Sequence, residues 1–331
     1  MTVHIYDAAN FAKLAPTLQP GDVVKVSGDL TQKIAGVKVP AGAPPIVFEA
    51  EPGARMGGWG LISDCAGVTF RGFALKMQGD DGKPLLLSVA GDRIVLEDIT
   101  AKGAGATVTG GTAVIIKGGD VTLRRWKVSE VCTFGSIQGA NRAVLEDIDV
   151  EGIWADGIQV VPAPGAFVRL DRVSLRRFTG NFAHRDGVQL MGKDYRFEAR
   201  RVVVDCSEGI PVQGIFTDSG STIAMDIRDC AFFGVQWNGI YTSRAGPAPG
   251  SMIDGNFLQG FAEVFEPVGQ VMQPRIVAPA WAVGKNTIAP LAKARDRTAL
   301  AAFLNPAPPT LEERVAALEA KVSALLKGAT S

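Results

Sequence analysis

The chain has 331 residues, of which 47% are hydrophobic and 21% charged, and it contains 39 glycines. That is enough apolar material for a large core and too many glycines for a protein built mainly of helices. The 34 basic and 34 acidic residues cancel, so no field favours nucleic acid or an anionic membrane as partner, and no apolar run approaches the ~20 residues that span a bilayer.

The opening Met1-Thr2-Val3-His4-Ile5-Tyr6-Asp7 lacks the basic and apolar regions of a signal peptide. A short helix is predicted over Asp7–Ala15, ended by Pro16. The turn Pro20-Gly21-Asp22 and the alternating Val23-Val24-Lys25-Val26 follow. Residues 1–20 are therefore expected to cap an open strand edge.

From Phe73 to Phe257 one short phrase recurs eight times, a charged or polar doublet followed by alternating apolar residues. It reads Arg71-Gly72-Phe73, Glu97-Asp98-Ile99, Arg124-Arg125-Trp126, Glu146-Asp147-Ile148, Asp171-Arg172-Val173, Arg200-Arg201-Val202, Arg228-Asp229-Cys230 and Gly255-Asn256-Phe257. The steps between anchors are 26, 27, 22, 25, 29, 28 and 27 residues. Such a period means an array whose units bury their apolar faces on one another. Within each unit the runs are short, β-branched and alternating, as in Val121-Thr122-Leu123, Val168-Arg169-Leu170 and Val173-Ser174-Leu175, and read as strands. Turns punctuate them at Gly79-Asp80-Asp81-Gly82, Gly118-Gly119-Asp120 and Pro162-Ala163-Pro164-Gly165. Three strands and three turns per coil give an all-β, single-stranded right-handed parallel β-helix over residues 21–290. A propeller is the alternative, but its blades are longer, at about 40–50 residues. Cys65, Cys132, Cys206 and Cys230 fall in or beside strands, far apart, as buried free thiols rather than disulfides or a metal site. No metal or other cofactor is expected.

A second phrase repeats beside the first: Gly135-Ser136-Ile137-Gln138, Asp156-Gly157-Ile158-Gln159, Asp186-Gly187-Val188-Gln189, Glu208-Gly209-Ile210-Pro211 and Asn238-Gly239-Ile240-Tyr241. With the apolar member inward, its neighbours are expected to face out. Asp156, Asp186, Glu208 and Asn238 then form one line, and Gln138, Gln159, Gln189 and Tyr241 another, with rungs roughly 4.8 Å apart. Two readings stand. In one, Asp or Asn before Gly only makes a turn. In the other, the column holds a polysaccharide along the helix axis, and its carboxylates cleave it, at about 5 Å apart with retention or about 9 Å with inversion. Asp156, Asp186, Glu208 and His184 are the catalytic candidates. Arg185 and Arg244 are candidates for holding sugar carboxylates, and Trp154, Trp237 and Tyr241 for stacking on rings.

At the far end, Leu291–Leu304 is a predicted helix and Pro306-Ala307-Pro308-Pro309 a linker, together residues 291–309. In residues 310–327, Leu311, Val315, Leu318, Val322 and Leu325 follow heptad spacing. Arg314-Val315-Ala316-Ala317-Leu318-Glu319 resembles the short trimerisation motif of coiled coils. A trimer, another oligomer and a helix docked on its own chain are the readings weighed. Two heptads hold together only subunits already in contact.

The repeated phrases, with this terminal motif, resemble the pectate-lyase-like right-handed β-helix superfamily, especially trimeric bacteriophage tailspikes and virion spike fibres. The resemblance covers roughly residues 20–290. It implies a homotrimeric spike on the virion surface, contacting other virion proteins and binding bacterial capsule or envelope polysaccharide, with cleavage as an added activity. A lyase or hydrolase without a virion role, and a purely structural spike, are the alternatives. The Asn-Thr-Asp, Asp-Asp and Gly-His-Gly series of polygalacturonases is missing, as is a calcium-binding Asp cluster with the pectate-lyase arginine motif, so no single activity carries over.

Overall fold

The computed structural model describes residues 1–9, 11–77, 86–103, 111–180, 185–217, 223–235, 238–242, 251–261, 275–278, 282–292 and 296–305. Met1–Asp296 is one compact unit and Arg297–Ser331 a second. In the second unit the described helix is Thr298–Leu304, shorter than the predicted Leu291–Leu304, since Ala292 is bridged to Phe261 as a sheet residue. Leu311, Arg314, Val315, Leu318, Glu319, Val322 and Leu325 lie outside the described residues.

The first unit is a parallel β-solenoid in which three ladders run side by side, each strand paired with its counterpart one coil on. Every pairing in these ladders is parallel, which excludes the propeller, and parallel crossovers of this kind are right-handed. In the first sheet, alternate side chains point inward and stack from coil to coil as Val24, Phe48, Phe70, Leu96, Leu123, Leu145, Leu170, Ala199, Ile227 and Ile253. Each is at most 1% exposed. The second sheet stacks Leu30, Met56, Leu75, Ala101, Val128, Val150, Leu175, Val204, Phe232 and Leu258 in the same way. The third stacks Ile62, Val89, Ile116, Ile137, Val160 and Leu190. Period-2 alternation in the sequence is thus the wall of a tube.

The charged doublet marks the corner between the first and second sheets. Its second member holds the left-handed conformation at every coil, with φ of 80° at Gly72, 57° at Asp98, 56° at Arg125, 55° at Asp147, 54° at Arg172, 53° at Arg201 and 55° at Asp229. One residue in that conformation turns the chain sharply, at a cost of about 1–2 kcal/mol for a non-glycine. The first member ends the first-sheet strand, and its charges alternate along the ladder as Lys25, Glu49, Arg71, Glu97, Arg124 and Glu146. Glu97, 1% exposed, accepts hydrogen bonds from Arg71, Arg124 and Arg125 at 2.5–2.9 Å. Burial pushes its carboxyl up, and the three guanidiniums outweigh this, leaving it below the usual carboxylate range. The eighth phrase is Asp254-Gly255-Asn256, one residue before the predicted Gly255-Asn256-Phe257. Asp254 pairs with Arg228 and Gly255 has φ 69°. Asn256, fully buried, takes the inward apolar position and is tied to the Cys230 amide, the Ile227 carbonyl and Asn286.

At the N-terminus, Val3–Ile5 pairs with Val23–Lys25, so the ladder begins before the boundary drawn at residue 21. The predicted helix is there but short, Phe11–Leu14 running into a 3-10 turn at Ala15–Thr17. Phe11 packs on Tyr6 and Phe48 at ring distances of 5.5 and 5.8 Å. Cys65, Cys206 and Cys230 are buried, Cys132 is half-buried and no disulfide joins any of them. Among the described residues no helix is long and apolar enough to cross a membrane.

Candidate functional site

The third sheet carries the second phrase. Strand alternation separates its positions onto opposite faces. In Asp186–Leu190 the inward residues are Asp186, Val188 and Leu190, and Gln189 points outward. The file on the opposite face runs Ser88, Ile115 and Ser136, which are covered at 3%, 7% and 4% exposure, and then Gln159, Gln189, Phe216 and Tyr241, which reach the surface. Gln159 and Gln189 are half-buried, and the Phe216 and Tyr241 rings are stacked 5.0 Å apart at 15°. Gln138 belongs to a neighbouring position, since it pairs with Val161 and donates to the Ser136 hydroxyl at 3.0 Å.

The acidic line is corrected in two ways. Asp186 is fully buried and Asn238 7% exposed, because a residue two before an inward valine or isoleucine in an extended strand shares its face. Glu208 is not in the line. Gly209 pairs with Phe178 at the end of the second sheet, and Glu208 is exposed there. Its place is taken by Gln213, which pairs with Asp186. The 27-residue step from Asp186 to Gln213, against 22 to Glu208, is the signal that marks it.

The resulting inward rail has a defined polarity. The Arg275 guanidinium donates to Asn238 Oδ1 at 3.2 Å, and Asn238 Nδ2 donates to Gln213 Oε1 at 2.7 Å. An arginine has only donors, so both amide orientations follow from it, and the remaining Gln213 amide hydrogens face Asp186. Burial pushes the Asp186 carboxyl up to about 8, the neighbouring Asp156 charge adds to this and the Gln213 hydrogen bond opposes it. Asp156 is half-buried at the corner. Its Oδ1 accepts the Asp186 backbone N–H at 3.0 Å and its Oδ2 accepts Gln159 Nε2 at 2.9 Å. It therefore joins the inward rail to the outward file. Arg185 is 6% exposed, and burial lowers its guanidinium pKa against the opposing charges of Asp156 and Cys206. Trp154 is half-buried. His184, Trp237 and Arg244 lie outside the described residues.

Phe216 and Gln213 were not legible as site residues. A phenylalanine in an alternating strand reads as core, and only the register shows that it stands outside beside Tyr241. A separate concavity of about 460 Å³ lies over the second sheet, lined among others by Lys102, Lys127, Asp149, Glu151 and Arg176. Its acidic wall is already neutralised, since Arg176 grips Asp149 at 2.8 and 2.9 Å and lies 3.5 Å from Glu151. Among the described residues no group of three or more His, Cys, Asp or Glu is placed to hold a metal ion.

No family model matches the chain, and no curated protein matches it. Among solved structures, pectate lyase Pel9A is similar at a TM-score of 0.49 and 14% identity, over 89% of this chain and 80% of that one. The PL6 family alginate lyase AlyGC is similar at 0.23 and 10%, over 86% of this chain and 53% of that one. At these values the fold rests on the strand pairings themselves, and function rests on the site.

Proposed function

We propose that the protein binds an extended polysaccharide along the outward file of the third sheet. The observation that carries this is the continuous run of side-chain amides, Gln159 and Gln189, into the stacked pair Phe216 and Tyr241. Amides offer donors and acceptors to hydroxyls at two successive rungs, and the half-buried aromatic pair suits the apolar faces of sugar rings. The rung spacing of about 4.8 Å is close to the length of one pyranose ring, so a polymer along the axis meets an equivalent contact at each coil.

Cleavage of the polymer is the finer part of the reading, and Asp156 is its carboxylate, being half-buried and bonded to Gln159 at the edge of the file. Asp186, fully buried, takes the supporting position behind it. A homotrimeric spike on a virion, presenting three such files to a host capsule, is the assembly we favour. It rests on the heptads of 310–327 and gains avidity from repetition along a polymer. A lyase or hydrolase acting without a virion remains the alternative assignment of the same residues.

Retention in gels containing single capsule polysaccharides, with product release assayed in parallel, tests this reading. Gln189→Ala and Tyr241→Ala are each expected to weaken retention by about 1–2 kcal/mol, roughly five- to thirtyfold. Asp156→Asn is expected to preserve retention and abolish product release. Unchanged retention in both Gln189→Ala and Tyr241→Ala sinks the binding reading, and release of product by Asp156→Asn sinks the assignment of the carboxylate.

A further inference from the structure

Among the described residues Trp59 is the most exposed aromatic side chain, at 64%. It sits in the turn between Arg55–Met56 of the second sheet and Ile62–Arg71, which opens in the third. The turn is fastened to the outward file, because the Gly58 carbonyl accepts the backbone N–H of Ser88 at 3.2 Å. Ser88 pairs with Ile115, and two residues past Ile115, on the same outward face, stands Lys117. Its ammonium lies 3.5 Å from the Trp59 ring centroid. Lys117 is exposed, and among the described residues it has no carboxylate partner, unlike the corner arginines.

The indole and the ammonium thus stand together on the Ile115 rung. From there the surface runs over the exposed Gln138, level with Lys117 and covering the buried Ser136, to Gln159, Gln189 and Phe216, four rungs on and about 19 Å away. The outward track has an aromatic group at each end and hydrogen-bonding side chains between. A cation held over an indole keeps its charge and is fixed in position by the ring quadrupole. It is a prepared counter-charge beside an apolar platform.

We infer that Trp59 and Lys117 form a subsite for a sugar ring bearing an acidic substituent, at the end of the third-sheet track opposite Phe216 and Tyr241. The inference rests on the track reading proposed above and narrows its ligand. The polymer carries carboxylate, sulfate or phosphate-ester groups, and about four to five rings are needed to engage both ends at once. Lys117 supplies the charge contact and Trp59 the platform. Contacts at the two ends of one ligand reinforce each other, because the second forms at the high effective concentration set by the first.

The test is affinity electrophoresis of the full chain in gels containing alginate, chondroitin sulfate, a phosphate-rich teichoic acid or neutral dextran, followed by titration with dimers and hexamers of whichever acidic polymer retains it. Trp59→Ala, Lys117→Met, Gln189→Ala and Tyr241→Ala are compared, with melting temperatures confirming that each variant is folded. The wild type is expected to be retained by an acidic polymer more than by dextran. Trp59→Ala and Lys117→Met are each expected to weaken hexamer binding about tenfold and to leave dimer binding at the aromatic pair within about twofold. The loss in Lys117→Met should shrink in 0.5 M salt, where the Debye length falls to about 4 Å. Wild-type hexamer affinity in both variants, with Tyr241→Ala impaired, overturns the subsite and leaves the track reading standing. Retention on dextran alone overturns the acidic ligand. Full retention of Tyr241→Ala together with Gln189→Ala overturns the track reading, and no retention of the wild type by any polymer overturns both.

Discussion

A carboxyl with no exposure, next to a second carboxylate, keeps its proton where other aspartates have lost theirs. Asp186 is such a group, pushed up to about 8 chiefly by burial. An unfolded aspartate titrates near 3.9. Between about pH 4 and 8 the folded chain therefore holds a proton that the unfolded chain has released, and stability falls as pH rises through that window. The loss is bounded at ~6 kcal/mol for a shift of this size. Asp186→Asn carries the neutral form permanently and is expected to show a urea midpoint nearly level across the window, equal to wild type near pH 4 and above it near pH 8. Parallel midpoint curves for the two proteins would contradict the assignment. The same residue shows where side-chain reasoning from sequence fell short. Asp before Gly looked like an exposed turn, and only the strand's inclusion of Asp186 itself turned its side chain inward.

At the scale of the element, the corner between the first and second sheets does most to define a coil. Its charged doublet was visible in the sequence because both members are constrained, one by left-handed backbone and one by charge pairing along the ladder. Glu97 joins three coils through Arg71, Arg124 and Arg125. Removing it leaves Arg71 and Arg124, on the rungs to either side, without their shared carboxylate, while Arg125 keeps Asp98. Glu97→Ala is expected to cost about 2–4 kcal/mol, somewhat below the loss of a fully buried pair because the arginines are 40–46% exposed. Chemical denaturation measures this, and a change below about 0.5 kcal/mol would show that the network contributes little. The second phrase was less legible. Its coil-to-coil step varies with the loop between the second and third sheets, so Glu208-Gly209-Ile210 mimicked the pattern five residues before the real partner, Gln213-Gly214-Ile215.

For the whole molecule, a solenoid couples each coil mainly to its neighbours, and among the described residues its outermost strands carry exposed apolar side chains. Val3 and Ile5 on the first strand are 55% and 66% exposed, and Val283 and Ile288 on the last strands 47% and 49%. Such strands pair with other chains unless covered. The trimer proposed from the heptads has a direct check in solution mass by light scattering. The full chain is expected near three times 34.8 kDa, and a chain ending at Asn305 is expected to be smaller. A monomer at micromolar concentration removes the basis for the spike.

Sequence alone determined the class of fold and the spacing of its coils, because burial in a tube imposes period 2 within strands and a near-constant period between them. It also located the amides Gln159 and Gln189, which repeat with that period. Tertiary structure decided which residues share a rung and which face each one takes. A slip of one residue reverses the face and a slip of one loop changes the partner. For that reason Asp186 moved inside, Glu208 left the line, and Phe216 and Trp59, which have no repeat of their own, joined the outward track only once the coils were stacked.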